Sequence, residues 1–497
     1  MAGNDDIDST WIVFNKPKDN SNVNDMIEHS GFLLALGLTG HLAKLSKLES
    51  FDYMMKGNEM ISIGVLLGMA ASKMGSMDVL ATKKISTQLV ALLPSSATEL
   101  PLSYSTQTAA LLSLGLIYQG TGHRHMAEVC LAELGRLYGP QMENCSDRES
   151  YSLSAGLSLG MITLGQGKDL TNGPLADLNL PDTLYHHMVG GPRSSISQKI
   201  KVKQGGMNIS GLAGESSETI NMDISGPGAT LALGLMFFDS GKFENKNLLF
   251  CVLKSITFPD NHAVADWMIA PKTQFLLEFV RPDFLMLRTM ARGLILWSSV
   301  HPSREWILSN VPETIRPFCL TRPSDEHPRN IVYETINQAY CNIISGAALI
   351  LGIRFAGSRN RQTFEVLYDQ TIHLIAISKR SVAELAGRAT IEQSICIHVL
   401  ALSVVMAGSG DLEVVRLIRF LRSRVGPKHS TVTYGSHMAI HQALGLVFLG
   451  EGSLTLRTDP PAVAALVCAL YPKFPTHSND NRFLWYFIIP ENTEAHR

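Results

Sequence analysis

Leu114-Gly-Leu-Ile-Tyr-Gln-Gly120 decides the fold, because it returns in altered form as Leu159 to Gly165, Leu351 to Gly357 and Leu444 to Gly450. A chain that repeats one glycine-bearing helix is a stack of like units rather than a single globular core. Aligned on the first glycine, one column reads Gly68, Gly115, Gly160, Gly234, Gly352, Ser403 and Gly445, all Gly or Ser. The second glycine, five residues on, stands in five of these seven copies, at Gly120, Gly165, Gly357, Gly408 and Gly450. In the other two, Gly75 and Gly241 come two residues later. Intervals of 47 (115 − 68), 45 (160 − 115), 51 (403 − 352) and 42 (445 − 403) residues match one helix pair. The wider gaps read as insertions, with room between Gly234 and Gly352 for two further units or an irregular one. An earlier copy is expected at Gly31 to Gly37.

Glycine costs about 1 kcal/mol against alanine in a helix interior, so its recurrence in apolar helical runs needs a cause. Close packing is that cause. Gly64 and Gly68, Gly156 and Gly160, and Ala348 and Gly352 are i, i+4 pairs that form small-residue ridges, letting a neighbouring backbone approach. On this reading Gly160→Leu forces apart the two helices of its own unit. The second glycine falls at a C-cap, where it permits the left-handed conformation that ends the helix. A second helix then follows, at His125 to Gly135 in the best copy and at Leu412 to Leu421 after Ser403. The fold class predicted is all-α, an α-solenoid of helix-pair repeats.

The chain of 497 residues is 45% hydrophobic, 7% aromatic and 17% charged, with formal net charge −2 and pI about 6.8. That balance argues against nucleic acid or an acidic membrane surface as the main partner. Seven cysteines, Cys130, Cys145, Cys251, Cys319, Cys341, Cys396 and Cys468, show no CxxC spacing. They fit reduced thiols of the nucleus or cytoplasm. The N-terminus lacks the apolar stretch of a signal peptide. The longest apolar runs are interrupted by His41, Lys44, His398 or glycine, so no clean span of some 18 residues is expected.

Along the chain, residues 1–30 read as a tail with an apolar patch at Trp11 to Phe14, and 31–170 as a first repeat block with a capping box at Ser146 to Glu149. Residues 171–227 read as a polar insertion, in which Arg193 to Ser225 is a solvated loop. A repeat with irregular helices is expected over 228–342. It includes a helix between Phe275 and Trp297 broken at Arg281-Pro282, and an extended connector from Pro312 to Pro328. A second repeat block over 343–475 precedes a divergent tail, 476–497.

Ser152-Leu-Ser-Ala-Gly-Leu-Ser-Leu-Gly160, Gly120-Thr-Gly-His-Arg-His125 and Arg354-Phe-Ala-Gly-Ser358 resemble proteasome/cyclosome repeats. More narrowly, the chain resembles the family of the largest scaffold subunit of the anaphase-promoting complex. The runs that carry this likeness are Trp11 to Pro17, Asp147 to Ser152, Ala265-Asp-Trp267, Met406 to Asp411 and Phe474 to Arg482. The resemblance implies a closed or nearly closed toroid that holds TPR, cullin and RING subunits and the coactivator of a cell-cycle ubiquitin ligase, with catalysis in other chains. The repeat alone would equally suggest a proteasome regulatory-particle scaffold that binds ubiquitin-like domains. Phe243 to Asp260 reads as an insertion relative to the family, and Phe483 to Pro490 departs from its pattern. The family's further domains are absent on either side, so a fragment or alternative product is expected.

No catalytic, cofactor-binding or metal-ligating set emerges. His437 and His441 have the i, i+4 spacing of a zinc pair, but Met438 stands where a zinc protease carries its glutamate. His123, His125, His186 and His187 read as turn and surface residues. Gly160 to Gly165 is followed by Gln166 and Gly167 rather than the Lys-Ser/Thr of a phosphate loop, and Gly226-Pro-Gly228 has no βαβ context. Arg416, Arg419, Arg422, Arg424 and Lys428 crowd one helix, where Arg416 and Arg419 share a face that suits an acidic partner; a solvated face is the alternative. The serines among Lys199, Lys201 and Lys203 are candidate phosphate sites or part of an inert linker.

Overall fold

The computed structural model describes residues 7–17, 23–55, 58–94, 102–136, 145–167, 170, 173–192, 219–240, 268, 281–321 and 332–477. The helices up to residue 236 are α1 (Ser9–Phe14), α2 (Val23–Leu38), α3 (Lys47–Met55), α4 (Glu59–Ala71), α5 (Val79–Ser86), α6 (Tyr104–Ile117), α7 (Arg124–Leu134), α8 (Cys145–Ile162), α9 (Leu180–Val189) and α10 (Met222–Met236). Beyond it come α11 (Pro282–Ile295), α12 (Arg304–Ser309), α13 (Tyr333–Arg354), α14 (Arg361–Ser378), α15 (Ala383–Ala386), α16 (Arg388–Val405), α17 (Leu412–Arg422), α18 (Tyr434–Val447) and α19 (Pro460–Ala469). One two-residue antiparallel pairing joins Gly191–Pro192 to Thr219–Ile220. Described residues through Met236 form one compact unit and those from Phe237 a second, each an all-α stack of helix pairs.

In the first unit the core helices α2, α4, α6, α8 and α10 pack side by side in chain order, while α5, α7 and α9 each flank the core helix that follows. Such core helices have apolar residues all round because every side meets protein. Tyr151 to Leu164, for example, is buried without a break. At the crossings the small residues touch backbone. A Cβ on Gly115 would lie 2.6 Å from Ser158 Cα, and one on Gly160 2.9 Å from Ala232 Cα; on Gly37 or Gly156 it would overlap the backbone of Gly68 or Gly228. Gly68 packs on Leu33 O and Gly37 Cα, and Gly234 is buried inside α10. The ridges thus face the core helix of the neighbouring unit, not the second helix of their own pair as the spacing suggested. Serine uses the same short gap to satisfy its hydroxyl: Ser158 Oγ donates to Leu111 O at 2.8 Å and Ser154 Oγ to Thr108 O at 3.1 Å.

The turns form a second repeating contact. Gly75, Gly120, Gly165, Gly357 and Gly408 have φ between 63° and 71°. Their N–H groups donate not to their own helix but to the last turn of the next core helix: Gly120 to Met161 O (2.8 Å), Gly165 to Leu235 O (3.0 Å), Gly357 to Val404 O (2.9 Å) and Gly408 to Leu446 O (3.0 Å). Two residues later the bond recurs, from Gly122 to Ile162 O, Gly167 to Met236 O and Gly410 to Val447 O, at 2.9, 2.9 and 3.0 Å. Carbonyls left over at a helix C-terminus are thereby satisfied across units. Met77 and Arg359 take the second position with φ of 53° and 54°, a conformation that costs a side-chain-bearing residue about 1–2 kcal/mol. In the copy of Gly234 the left-handed residue is Asp239 (φ 49°), five residues on, which donates to Leu294 O at 3.0 Å. Gly241, the expected position, lies outside the described residues.

In the second unit α11, α13, α16 and α18 stack in order, with α14 flanking α16 and α17 flanking α18. Gly293 of α11 is an unread member of the glycine column. It sits 59 residues from each neighbour (293 − 234; 352 − 293), and its Cβ would lie 2.5 Å from Ile350 Cγ2. A Cβ on Gly352 would lie 2.8 Å from Ala401 Cα, and Ser403 is fully buried. Residues 453–459 run across the turn glycines, where Thr455 Oγ1 donates to Gly357 O at 3.0 Å, and lead into the buried helix α19. The column fails at one member: Gly445 is exposed and a Cβ there would have nothing within 4 Å, because among the described residues no helix covers that face of α18. Gly31 of α2, at the other end, is open likewise.

Other expectations shift in detail. Trp11 to Phe14 lies in a short helix held to the first unit, with Trp11 5.6 Å from the Phe32 ring and Lys16 paired to Asp52 at 2.8 Å. Helix α2 begins at Val23, inside the stretch read as a tail, and α8 begins at Cys145, ahead of the expected cap. Helix α11 starts at Pro282, a ring suited to the first helical turn, and a 3-10 turn at Arg316–Phe318 interrupts the expected connector. Contrary to the reading of interrupted runs, α13 and α16 are long and apolar enough to cross a membrane, yet most of their residues are buried in the second unit. Of the expected loop from Arg193 to Ser225, residues 193–218 lie outside the described residues, but its end is not solvated: α10 begins at Met222 with Ile224 and Ser225 buried, and α9 packs on α10 inside the stretch read as a polar insertion. The 243–260 insertion, the Ala265 to Trp267 motif and all of the 476–497 tail beyond residue 477 lie outside the described residues.

Two positions of one column provide the test. Gly352→Ala, whose methyl meets the Ala401 backbone, is expected to destabilise by about 1–3 kcal/mol. Gly445→Ala, at an open helix position, should stabilise by up to about 1 kcal/mol. Urea unfolding followed by circular dichroism checks both signs.

Candidate partner-docking site

Among the described residues no group of three or more His, Cys, Asp or Glu could hold a metal ion. Cys130, Cys319, Cys341, Cys396 and Cys468 form no disulfide among the described residues, and burial pushes each thiol up to about 12, so they are held as protonated packing groups rather than nucleophiles. His437 and His441 lie on α18, His441 exposed. His123 caps α7, its Nδ1 accepting from Met126 N at 3.4 Å. His187 is buried rather than superficial, because α9 packs on α10 and Ser225 Oγ donates to its carbonyl at 3.0 Å.

Buried polar groups instead tie flanking elements to core helices. Tyr151 O–H donates to Glu133 of α7, which also pairs with Arg136 at 3.1 Å. Burial, then the Glu133 charge, raises the Tyr151 pKa and keeps its proton in place. Arg424, just after α17, turns inward and grips Glu392 of α16 through two bonds of 2.7 and 2.6 Å. It is therefore no part of the exposed basic cluster in which the sequence placed it. The planar guanidinium matches the carboxylate fork, and a pair this buried needs both partners. His398 in α16 is fully buried; its Nδ1 donates to Ser394 O at 2.8 Å, while Nε2 has no partner among the described residues. Burial lowers its pKa to about 4.

Arg416 and Arg419 sit on α17. Asp411 caps this helix by accepting from the N–H groups of Glu413 and Val414 at 2.9 and 3.1 Å. Val414, Leu417, Ile418 and Leu421 point into the unit, so Leu412, Arg416, Arg419 and Ser423 form the solvent-facing crest. On the side toward α14, Glu413 pairs with Arg361 at 3.3 Å, and Lys379 lies 5.8 Å from the Phe420 ring centroid. Phe420 is 44% exposed, an apolar component that charge counting along the sequence overlooked. Among the described residues no carboxylate pairs with Arg416, Arg419 or Arg422, whereas Arg124 and Arg361 each have two and Arg388 has one.

The APC1 fifth-domain family model matches residues 79–486, most of the chain, and the APC1 fourth-domain model matches residues 2–74. The chain belongs to the APC1 family. It is 45% identical over 481 residues to anaphase-promoting complex subunit 1 of Homo sapiens, covering 96% of this chain and 23% of that protein. It is also similar to anaphase-promoting complex subunit 1 of Arabidopsis thaliana, 34% identical over 96% of this chain and 27% of the relative. A third relative is the negative regulator of mitosis of Emericella nidulans, 35% identical over 99% of this chain and 22% of the relative. The chain thus spans about a quarter of the length of the APC1-family proteins it matches. The glycine column and turn ladder lie within the segment matched by the fifth domain from Gly115 onward, and Gly68 lies in the fourth-domain match.

The buried imidazole of His398 gives a pH signature. Its pKa is lower in the folded than in the unfolded chain, so the unfolded state takes up the proton first. Its contribution is intact above about 6.5 and is lost as pH falls toward 4, amounting to about 3 kcal/mol. Denaturant unfolding at successive pH values should show His398→Leu with a shallower loss of stability across that window than the parent; equal slopes would contradict the assignment.

Proposed function

We propose that this chain is a non-enzymatic scaffold segment of the anaphase-promoting complex, working in the nucleus and cytoplasm, with ubiquitin transfer carried out by other chains. The observation that carries this reading is 45% identity across 96% of the chain to a relative named for that complex. The stacked pairs support it physically. Each repeat buries its core on the next, so a stack can present a long series of flanking helices. Buried, protonated thiols suit a packing role in a reducing compartment. The partners we assign are the TPR, cullin and RING subunits and the coactivator, met through exposed faces of the repeats.

Affinity purification of the tagged chain, or of the full-length protein carrying it, from mitotic cells tests the reading. Cullin, RING and TPR subunits should co-purify at fixed stoichiometry. Recovery of the proteasomal ATPase ring in their place would overturn it.

A further inference from the structure

We propose that the crest of α17, with the adjoining edge of α14, docks an acidic protein segment that carries a bulky apolar side chain. Three features converge there. Arg416 and Arg419 are exposed one turn apart on the crest, Arg422 lies on its flank, and none has a carboxylate partner among the described residues. The acid best placed to neutralise them, Glu413, is engaged by Arg361, and Arg424 is withdrawn to Glu392. Phe420 (44% exposed) on α17, with Lys379 at its ring, and Ile372 (42% exposed), on the face of α14 that also carries Arg361, offer apolar surface, and exposed Arg380 follows Lys379 in the chain. A solvated helix face needs only charge; one that combines unpaired guanidinium groups with an uncovered aromatic ring suits a ligand of opposite charge with an apolar anchor. Guanidinium forks favour carboxylates, and the chain's net charge of −2 provides no broad basic field for nucleic acid or lipid.

Fluorescence anisotropy of the full chain with a fluorescein-labelled peptide of alternating glutamates, carrying one phenylalanine and one leucine, tests this. Binding should weaken with salt. Arg416→Glu combined with Arg419→Glu should weaken it about tenfold or more. Phe420→Ser, or glutamines in place of the peptide's glutamates, should also weaken it. Should the reversal impair folding, Arg416→Gln with Arg419→Gln serves in its place, checked by an unchanged melting temperature. Absence of binding, or affinity unaltered by the arginine variants, overturns the proposal. So does arginine-dependent binding of a single-stranded RNA or of phosphatidylserine vesicles that the peptide fails to displace.

Discussion

Neighbouring core helices approach until backbone meets backbone, and the rest of the structure depends on that distance. Gly115 against Ser158 and Gly352 against Ala401 leave no room for a methyl group, so the stack has one permitted spacing at each crossing. The same spacing brings the turn after one core helix level with the end of the next. There the glycine N–H groups reach carbonyls that a helix terminus would otherwise leave to water. Packing and hydrogen bonding therefore enforce the same register. A change that widens the crossing should weaken the turn bonds as well, because both belong to one rigid repeat.

The repeat was legible in the sequence because both of its demands fall on glycine, the residue whose loss of side chain is visible without coordinates. The left-handed turns at Gly120, Gly165, Gly357 and Gly408 are where the five-residue interval puts them. The partner of each ridge was not legible, since a small residue says that something comes close but not which helix does so. Gly293 escaped because Arg292 occupies the place of the leucine that opens Leu114-Gly-Leu-Ile, although Gly-Leu-Ile itself is intact at Gly293 to Ile295. The second left-handed position had a signal in the short motifs Gly-Thr-Gly122 and Gly-Ser-Gly410, and Gly-Gln-Gly167 shares their spacing and their bond. The signal is blurred where Met77 and Arg359 take the glycine's place and rely on the bond they donate.

Charge proved harder to read than packing. Arg424 and Arg422 are two residues apart in one basic run, yet Arg424 is buried on Glu392 and Arg422 is exposed. The difference comes from where α17 ends: past Arg422 the chain turns, and helical spacing no longer says which way a side chain faces. A buried bidentate pair of this kind contributes little net stability but locks one arrangement, since either charge left alone would be strongly unfavourable. Apolar burial and a few specific polar contacts thus fix the flanking helix α17 to the core, while its other face is exposed.

Hydrogen exchange read by mass spectrometry across the turns tests the nested register most directly. Peptides containing Gly120 and Gly122, or Gly408 and Gly410, should be protected to nearly the degree of α8 and α16, because their amides are bonded to the next helix. Exchange of those turn amides at the rate of open loops, with α8 and α16 still protected, would contradict the account.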